Sequence, residues 1–407
     1  MLSLVLCAHL TTSVETYILD TIQFKLTAEQ IGHLTDVRQT LHKAPEASGE
    51  EEQTGRFIVG QLERIGADHI VSGLGGFGVI AEYRGAADGP TVMIRCELDG
   101  LPIEEISEVP YRSQIPDRGH LCGHDGHMTM VLGVAHLLSA RRPKQGRVVL
   151  MFQPAEETGA GAAAVIEDPN FAEFRPDFAF SLHNLPGRPM GEVSICREYA
   201  NCASRGMQIN LRGKSSHAAA PEDGFSPASA ISVLMEQLAK LGVGGEMNNQ
   251  FTLSTLTHAR LGEPTFGIAP GFGELRVTLR SISDALMEDM IDRAQEAVTQ
   301  ATPDLDVAIT WHDIFLACVN HPESCDQIIQ AAKRVGTPLK ELDYPMRWSE
   351  DFGRFGLDGA KSAMFFLGSG EAQPQLHNPD YDFPDELIPI GADLFVTIID
   401  QLLGLAD

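Results

Sequence analysis

Two short stretches bring together residue types that could do chemistry. Leu121-Cys122-Gly123-His124-Asp125-Gly126-His127 sets a thiol and an imidazole two positions apart. Phe152-Gln153-Pro154-Ala155-Glu156-Glu157 sets adjacent carboxylates directly after the apolar run Val148-Val149-Leu150-Met151-Phe152. Thiolate, imidazole and carboxylate are the ligand types of a hydrolytic metal centre, and the second carboxylate is left over as a base. A thiolate near a helix N-terminus is expected to have a lowered pKa, which favours metal binding at Cys122. Two adjacent acids on an irregular turn point in different directions, so one can hold a metal while the other moves a proton. The pairs Glu51-Glu52 and Glu104-Glu105 show that such doublets are also ordinary solvated turns. What separates Glu156-Glu157 is the buried strand before it and Gly159-Ala160-Gly161 after it, which permits close backbone approach.

The elements around these residues aim them at one place. Residues 27–65 read as two helices broken at Ala44-Pro45, with Leu34, Val37 and Leu41 on one face. Strand-like runs follow at Gly78–Tyr83, Thr91–Glu97, Arg147–Phe152 and Phe178–Leu182, with a helical stretch over His127–Arg141. Apolar strands alternating with helices predict an open α/β sheet covered on both faces. Asp99, Glu156-Glu157 and His183 each follow one of those strands, and ligands of such sheets bind beyond the strands' carboxyl ends. His183 and His377 would be core or loop histidines if taken singly; with Cys122, His124 and Glu157 they complete a ligand set. Asp99 is placed to orient a ligand from behind.

After residue 198 the order becomes strand–helix–strand–strand–helix–strand, which predicts a ferredoxin-like layer. The expected division is therefore a catalytic α/β domain over 1–197 and 316–407, with an inserted lid domain over 198–315. Within the insert, His217 can donate to a developing oxyanion if the lid closes, and Arg280 can pair a substrate carboxylate. His9, His33, His69, His136, His258, His312 and His321 have no such context and read as structural or exposed.

Composition bounds the class. A chain of 407 residues with 43% hydrophobic content is long enough for two cores. A formal charge of −26 argues against nucleic acid or an anionic membrane as partner. The seven scattered cysteines suit a reducing compartment. Met1–Leu10 is apolar, but no Lys or Arg precedes Lys25, so a secretory signal lacks its positive end and the cytoplasm is the expected location.

The motifs together resemble the aminoacylase/carboxypeptidase metallopeptidase family, in the amidohydrolase branch that holds hippurate hydrolase and the plant indole-acetyl-amino-acid hydrolases. The resemblance runs from Leu41-His42-Lys43-Ala44-Pro45-Glu46 through Leu98-Asp99-Gly100-Leu101-Pro102 and the two opening stretches. It continues through His183-Asn184, His217-Ala218-Ala219, Ser349-Glu350-Asp351-Phe352 and Leu376-His377-Asn378-Pro379. It implies two divalent ions, manganese or zinc, with Cys122 bridging, His124 and His183 on one ion, and Glu157 and His377 on the other. Glu156 is implied as general base, Asp99 as the orienting carboxylate, and His217 as the oxyanion group, acting in the partner's site of a homodimer. His217, Arg280 and Asn184 are then the expected substrate-binding residues. The implied reaction is hydrolysis of the amide of an N-acyl or N-aroyl amino acid or a related small amide. Dipeptidase or carboxypeptidase action and metal-dependent binding without catalysis are the alternatives. A cysteine hydrolase built on Cys122 and His124 is a further rival, disfavoured because the two lie so close in sequence. Two departures stand out: Gly267 where relatives carry a substrate-binding Asn, and Glu97 where they carry Asp.

Overall fold

In the computed structural model, which describes residues 25–406, the apolar runs line up as one mixed eight-stranded sheet. The N-terminal apolar stretch, with Cys7 and His9, lies outside the described residues. The strands follow the order His69–Leu74, Gly78–Arg84, Gln145–Gln153, Ala87–Glu97, Phe178–Leu185, Lys361–Gly368, Val193–Ile195, Leu339–Glu341. Ala87–Glu97 pairs in parallel with both Gln145–Gln153 and Phe178–Leu185, and Phe178–Leu185 pairs in parallel with Lys361–Gly368. These central strands are almost wholly buried because helices cover both faces. Along Ala87–Glu97, Val92, Ile94 and Cys96 face one core, packed against Leu34, Leu62, Val134 and Ile398; Met93 faces the other, with Phe171, Phe352 and Phe366. That period of two is the sheet's own alternation.

The helix after Cys122 is the element that most shapes the site. It spans His124–Ala140, starting three residues earlier than periodicity predicts, so His124 lies in its first turn rather than before it. Its residues 124–135 are buried all round, as expected of a helix enclosed by others. Gly123 precedes it at φ 90°, and a Cβ there would sit 2.6 Å from Asn184 Oδ1. Only glycine fits that entry. The fourth strand also runs further than the apolar run, to Leu185, because Lys361–Gly368 pairs with it residue by residue. His183 is thus inside the strand.

A second, four-stranded antiparallel sheet lies between residues 203 and 315, in the order Thr252–Leu261, Phe272–Ser281, Ala203–Arg212, Asp306–Phe315. Numbered by sequence this is 2-3-1-4, the ferredoxin-like arrangement. One face carries Met207, Ile209, Leu211, Val277 and Leu279 against the helices Ala228–Ala239 and Asp284–Ala301. The opposite face turns toward the carboxyl edge of the large sheet. Both chain crossings between the sheets are tied by antiparallel pairing of Tyr199–Asn201 with Cys318–Val319. No helix among the described residues is long and apolar enough to cross a membrane.

Candidate metal centre

The turn after strand Gln145–Gln153 delivers Glu156 and Glu157. It is tight: Gly161 N donates to Ala155 O (3.0 Å) and Gly159 N to Glu156 O (2.8 Å). A Cβ on Gly161 would lie 1.7 Å from the Pro154 carbonyl oxygen, so the turn closes only around glycine. Ala155, just before the two acids, is held at φ 49°, and His377 at φ 65°. Left-handed conformations cost non-glycine residues energy and persist where surrounding structure enforces them. Here both flank the same group of donors.

Those donors come from four segments. Cys122 Sγ lies 3.4 Å from His183 Nε2. Cys122, His124 and His183 bring one ligand atom each within 4.8 Å of one another, and so do Cys122, Glu157 and His377. Cys122 is common to both sets. A third group, His124, Glu156 and Glu157, overlaps them. Asp99 organises the cluster from behind: its Oδ2 accepts from Ser48 Oγ (2.7 Å) and from Glu157 N (3.0 Å), and its backbone oxygen lies 2.8 Å from His124 Nδ1. With Nδ1 directed at a carbonyl, His124 turns Nε2 to the cluster, where a cation could take the place of its proton. That Nε2 and Glu157 Oε1 are 3.8 Å apart, and both are buried without a hydrogen-bond partner. Acceptors facing each other across such a gap fit a cation between them, and thiol, imidazole and carboxylate are ligand types that bind zinc. The residues present therefore fit the divalent ions that the motifs imply.

Burial and the clustered acids shift the titration of the donors. Burial alone would lower the His124 pKa, yet Asp99 and then Glu97 and Glu157 raise it to about 10. Burial raises Glu157 to about 7, with His124 opposing and Asp99 adding to the rise. Burial pushes the Glu156 carboxyl well up, reinforced by Glu350, Glu157 and Asp351. Cys122 corrects the sequence expectation: its thiol is held well above the usual range, first by burial and then by Glu157 and Glu156. A helix N-terminus does not outweigh desolvation and two carboxylates.

A buried layer of polar residues stands behind the donors. Arg95, fully buried, pairs with Glu350 (2.9 Å), Asp351 (2.7 Å) and Glu97, and donates to Gln153 Oε1 (2.9 Å). Glu97 in turn holds His127 Nδ1 at 2.6 Å, and the His127 ring lies 4.7 Å from that of His183. Trp348 packs on the other side of His183, centroids 4.8 Å apart. Arg95, His127, Trp348 and the role of Glu350 and Asp351 were not read from sequence. His127, Glu350 and Asp351 do lie within the motifs that carry the resemblance; Arg95 and Trp348 lie in none of them.

A cavity of about 360 Å³ opens onto the donors. Cys122, Glu156, Glu157, His183 and His377 meet it from the large sheet's edge; Ser204, Thr278, Arg280 and Phe315 meet it from the second sheet. Arg280 Nη1 donates to Ser349 Oγ (3.0 Å) and to Arg347 O (3.3 Å), and no carboxylate pairs with it among the described residues. Burial lowers its pKa below the usual arginine value. Asn184 is fully buried, with Oδ1 2.6 Å from His127 Nε2 and Nδ2 donating to Tyr381 Oη (2.5 Å). Strand alternation turns it away from the cavity, to where its amide meets His127 and Tyr381. His217 does not reach the cavity; it is exposed on a two-residue strand paired with Ile268–Ala269. Gly267 sits in the adjoining exposed loop, and a side chain there would meet open space.

Comparison with known proteins agrees with this geometry. Residues 93–401 match the model for peptidase family M20/M25/M40. N-acetyl-L-cysteine deacetylase of Bacillus subtilis is 31% identical over 372 residues, covering 89% of this chain and 86% of that one. Hippurate hydrolase of Campylobacter jejuni is 28% identical over 372 residues, covering 90% and 96%. A solved Bacillus subtilis structure, described as a dinuclear metal-binding peptidase of the M20 family, matches with TM-score 0.77 at 23% identity, covering 93% of this chain and 99% of that one.

Proposed function

The chain belongs to peptidase family M20/M25/M40 and is a metal-dependent hydrolase of linear amides, and on that premise we propose that it cleaves N-acyl or N-aroyl amino acids. The observation that carries this reading is the meeting, in one cavity, of the donor cluster, a neighbouring unassigned carboxylate at Glu156, and an Arg280 without an acidic partner. In this reading Cys122, His124, His183, Glu157 and His377 would hold two divalent ions, manganese or zinc, with Cys122 common to both sets of donors. When bound, such ions supply Lewis-acid polarisation of the amide carbonyl and acidify water.

Glu156 takes the proton from the attacking water and returns it to the leaving nitrogen. Its buried position beside Glu350 and Glu157 favours holding that proton between the two transfers. Asp99 fixes the His124 ring and the Glu157 backbone. Arg280 pairs the substrate carboxylate, and Leu185, Pro186 and Trp348 offer the acyl group an apolar wall. Residues 198–315 act as the lid, and a homodimer through that segment would carry His217 to the partner's carbonyl oxygen. Replacing Glu156 by Gln, with metal content measured alongside, is the direct test. The expected result is a fall in kcat of about 10²–10⁴ with the ions retained. Near-normal turnover would remove Glu156 from the reaction.

A further inference from the structure

Two opposite charges face the cavity from the second sheet. Its floor is Ser204 and Gly206, with Thr278 and Arg280 to one side and Asp313 and Phe315 to the other. Ser204 pairs with Arg280 on one neighbouring strand and with Phe315 on the other; Gly206 pairs with Thr278 and His312. A regular ladder that sets His312 opposite Gly206 would set residue 314 opposite Ser204. Phe315 stands there instead, so the strand carries one inserted residue, a β-bulge. At the bulge Asp313 is held at φ 48°, a conformation that aspartate tolerates better than most side chains. Strict alternation from His312 would have pointed residue 313 toward the helices; the bulge brings it to the cavity.

The Asp313 carboxylate has no ion pair or hydrogen bond among the described residues. The nearby Arg354 donates to the Ile314 carbonyl (3.2 Å). The other acids lining the cavity are engaged: Glu350 with Arg95, Glu156 and Glu157 in the donor group. Arg280 and Asp313 lie on strands that flank Ala203–Arg212, which separates them by two strand spacings, about 10 Å. They are too far apart to neutralise each other. A solvated surface aspartate is the ordinary fate of such a residue. Asp313 is exposed and also borders an adjoining cavity beside Arg276, but its placement by a bulge at the edge of this cavity, on the strand opposite a guanidinium without an acidic partner, is what sets it apart.

We propose that the cavity selects N-acyl amino acids whose side chain ends in an ammonium group, of lysine or ornithine type. Arg280 takes the carboxylate and Asp313 the distal ammonium. The proposal rests on the amidohydrolase reading and narrows its substrate. The test compares kcat/KM for Nα-acetyl-L-lysine and Nα-acetyl-L-norleucine, which share acyl group and length and differ in the terminal charge. The wild type should favour the lysine derivative by at least about fivefold, mostly through KM, with the preference shrinking as salt is added. D313N should erase the ratio, and D313K should turn the preference toward Nα-acetyl-L-glutamate. Equal or better hydrolysis of the norleucine derivative by the wild type overturns the selection alone, as does a ratio that D313N leaves intact. Hydrolysis of neither derivative by metal-loaded protein, nor of any other N-acyl amino acid, overturns the amidohydrolase reading and this proposal with it.

Discussion

His42 should make the fold pH-dependent in a window that few histidines reach. Its ring is fully buried, with Nδ1 2.8 Å from Asp125 Oδ2 and Nε2 3.2 Å from Glu105 Oε1. Burial would lower its pKa, but Asp125, by charge and hydrogen bond, and then Glu105 raise it from 6.5 to about 9. A folded-state pKa above the unfolded one stabilises the fold fully below pH 6.5, and that stability is lost as pH rises through about 9. At ~1.4 kcal/mol per pH unit of difference, the ring contributes about 3 kcal/mol of pH-linked stability. The depressed pKa of Asp125 expresses the same contact and adds nothing further. The assay is denaturant unfolding of metal-saturated wild type and H42Q at pH 6, 7.5 and 9.5. H42Q should be less stable at pH 6, and the gap should close by about 3 kcal/mol toward pH 9.5. Other titrating groups, His124 among them, are present in both proteins and cancel in the difference. A gap that stays constant across the range would refute the pairing as the origin of the raised pKa.

Exhaustive chelation should abolish turnover and lower the melting temperature, because the ions bind only the folded arrangement of donors; restoring manganese or zinc should recover both. Elemental analysis of the reloaded protein should find two ions per chain, and full activity after chelation would exclude a metal role. G161A should destabilise the protein by about 1–3 kcal/mol or more, since the added Cβ meets backbone oxygen at 1.7 Å and neither atom can yield. Its metal content should fall in step, because the same turn aims Glu156 and Glu157; a variant with normal unfolding and normal metal content would show that the turn can reshape.

The donors were legible in sequence because metal-ligating residue types gather in short motifs at strand ends. Cys122 and His124 share one motif, and Glu156 and Glu157 another. What supports them was not legible, because its contacts are long-range: Arg95 meets Asp351 across 256 positions, and Gln153 meets it across 198. The partners of Asn184 were not legible either: its neighbour His183 faces the donors, and one step along a strand reverses the face. The second sheet's order followed from its period-two runs, but the bulge that turns Asp313 inward has no signature in its side chains. His217 is the reverse case, a motif residue that the single chain leaves outside the cavity.

The placement of Arg95 sets Glu156 apart from the other clustered acids, as the proposed proton transfer requires. Glu97, Glu350, Asp351 and Glu156 all lie around one buried guanidinium, that of Arg95. Arg95 forms ion pairs with the first three and none with Glu156. Gln153 Nε2 and the Ala162 backbone take up what remains of Asp351 (2.9 and 2.8 Å). Glu156 keeps the desolvation and the repulsion of its neighbours without the compensating pair, so its proton affinity rises well above that of an ordinary carboxylate. A buried salt bridge is often a poor source of stability. Here its value lies in which carboxylate it leaves out, and the same logic makes the backing network, rather than the Glu156-Glu157 doublet alone, the feature that separates a base from a ligand.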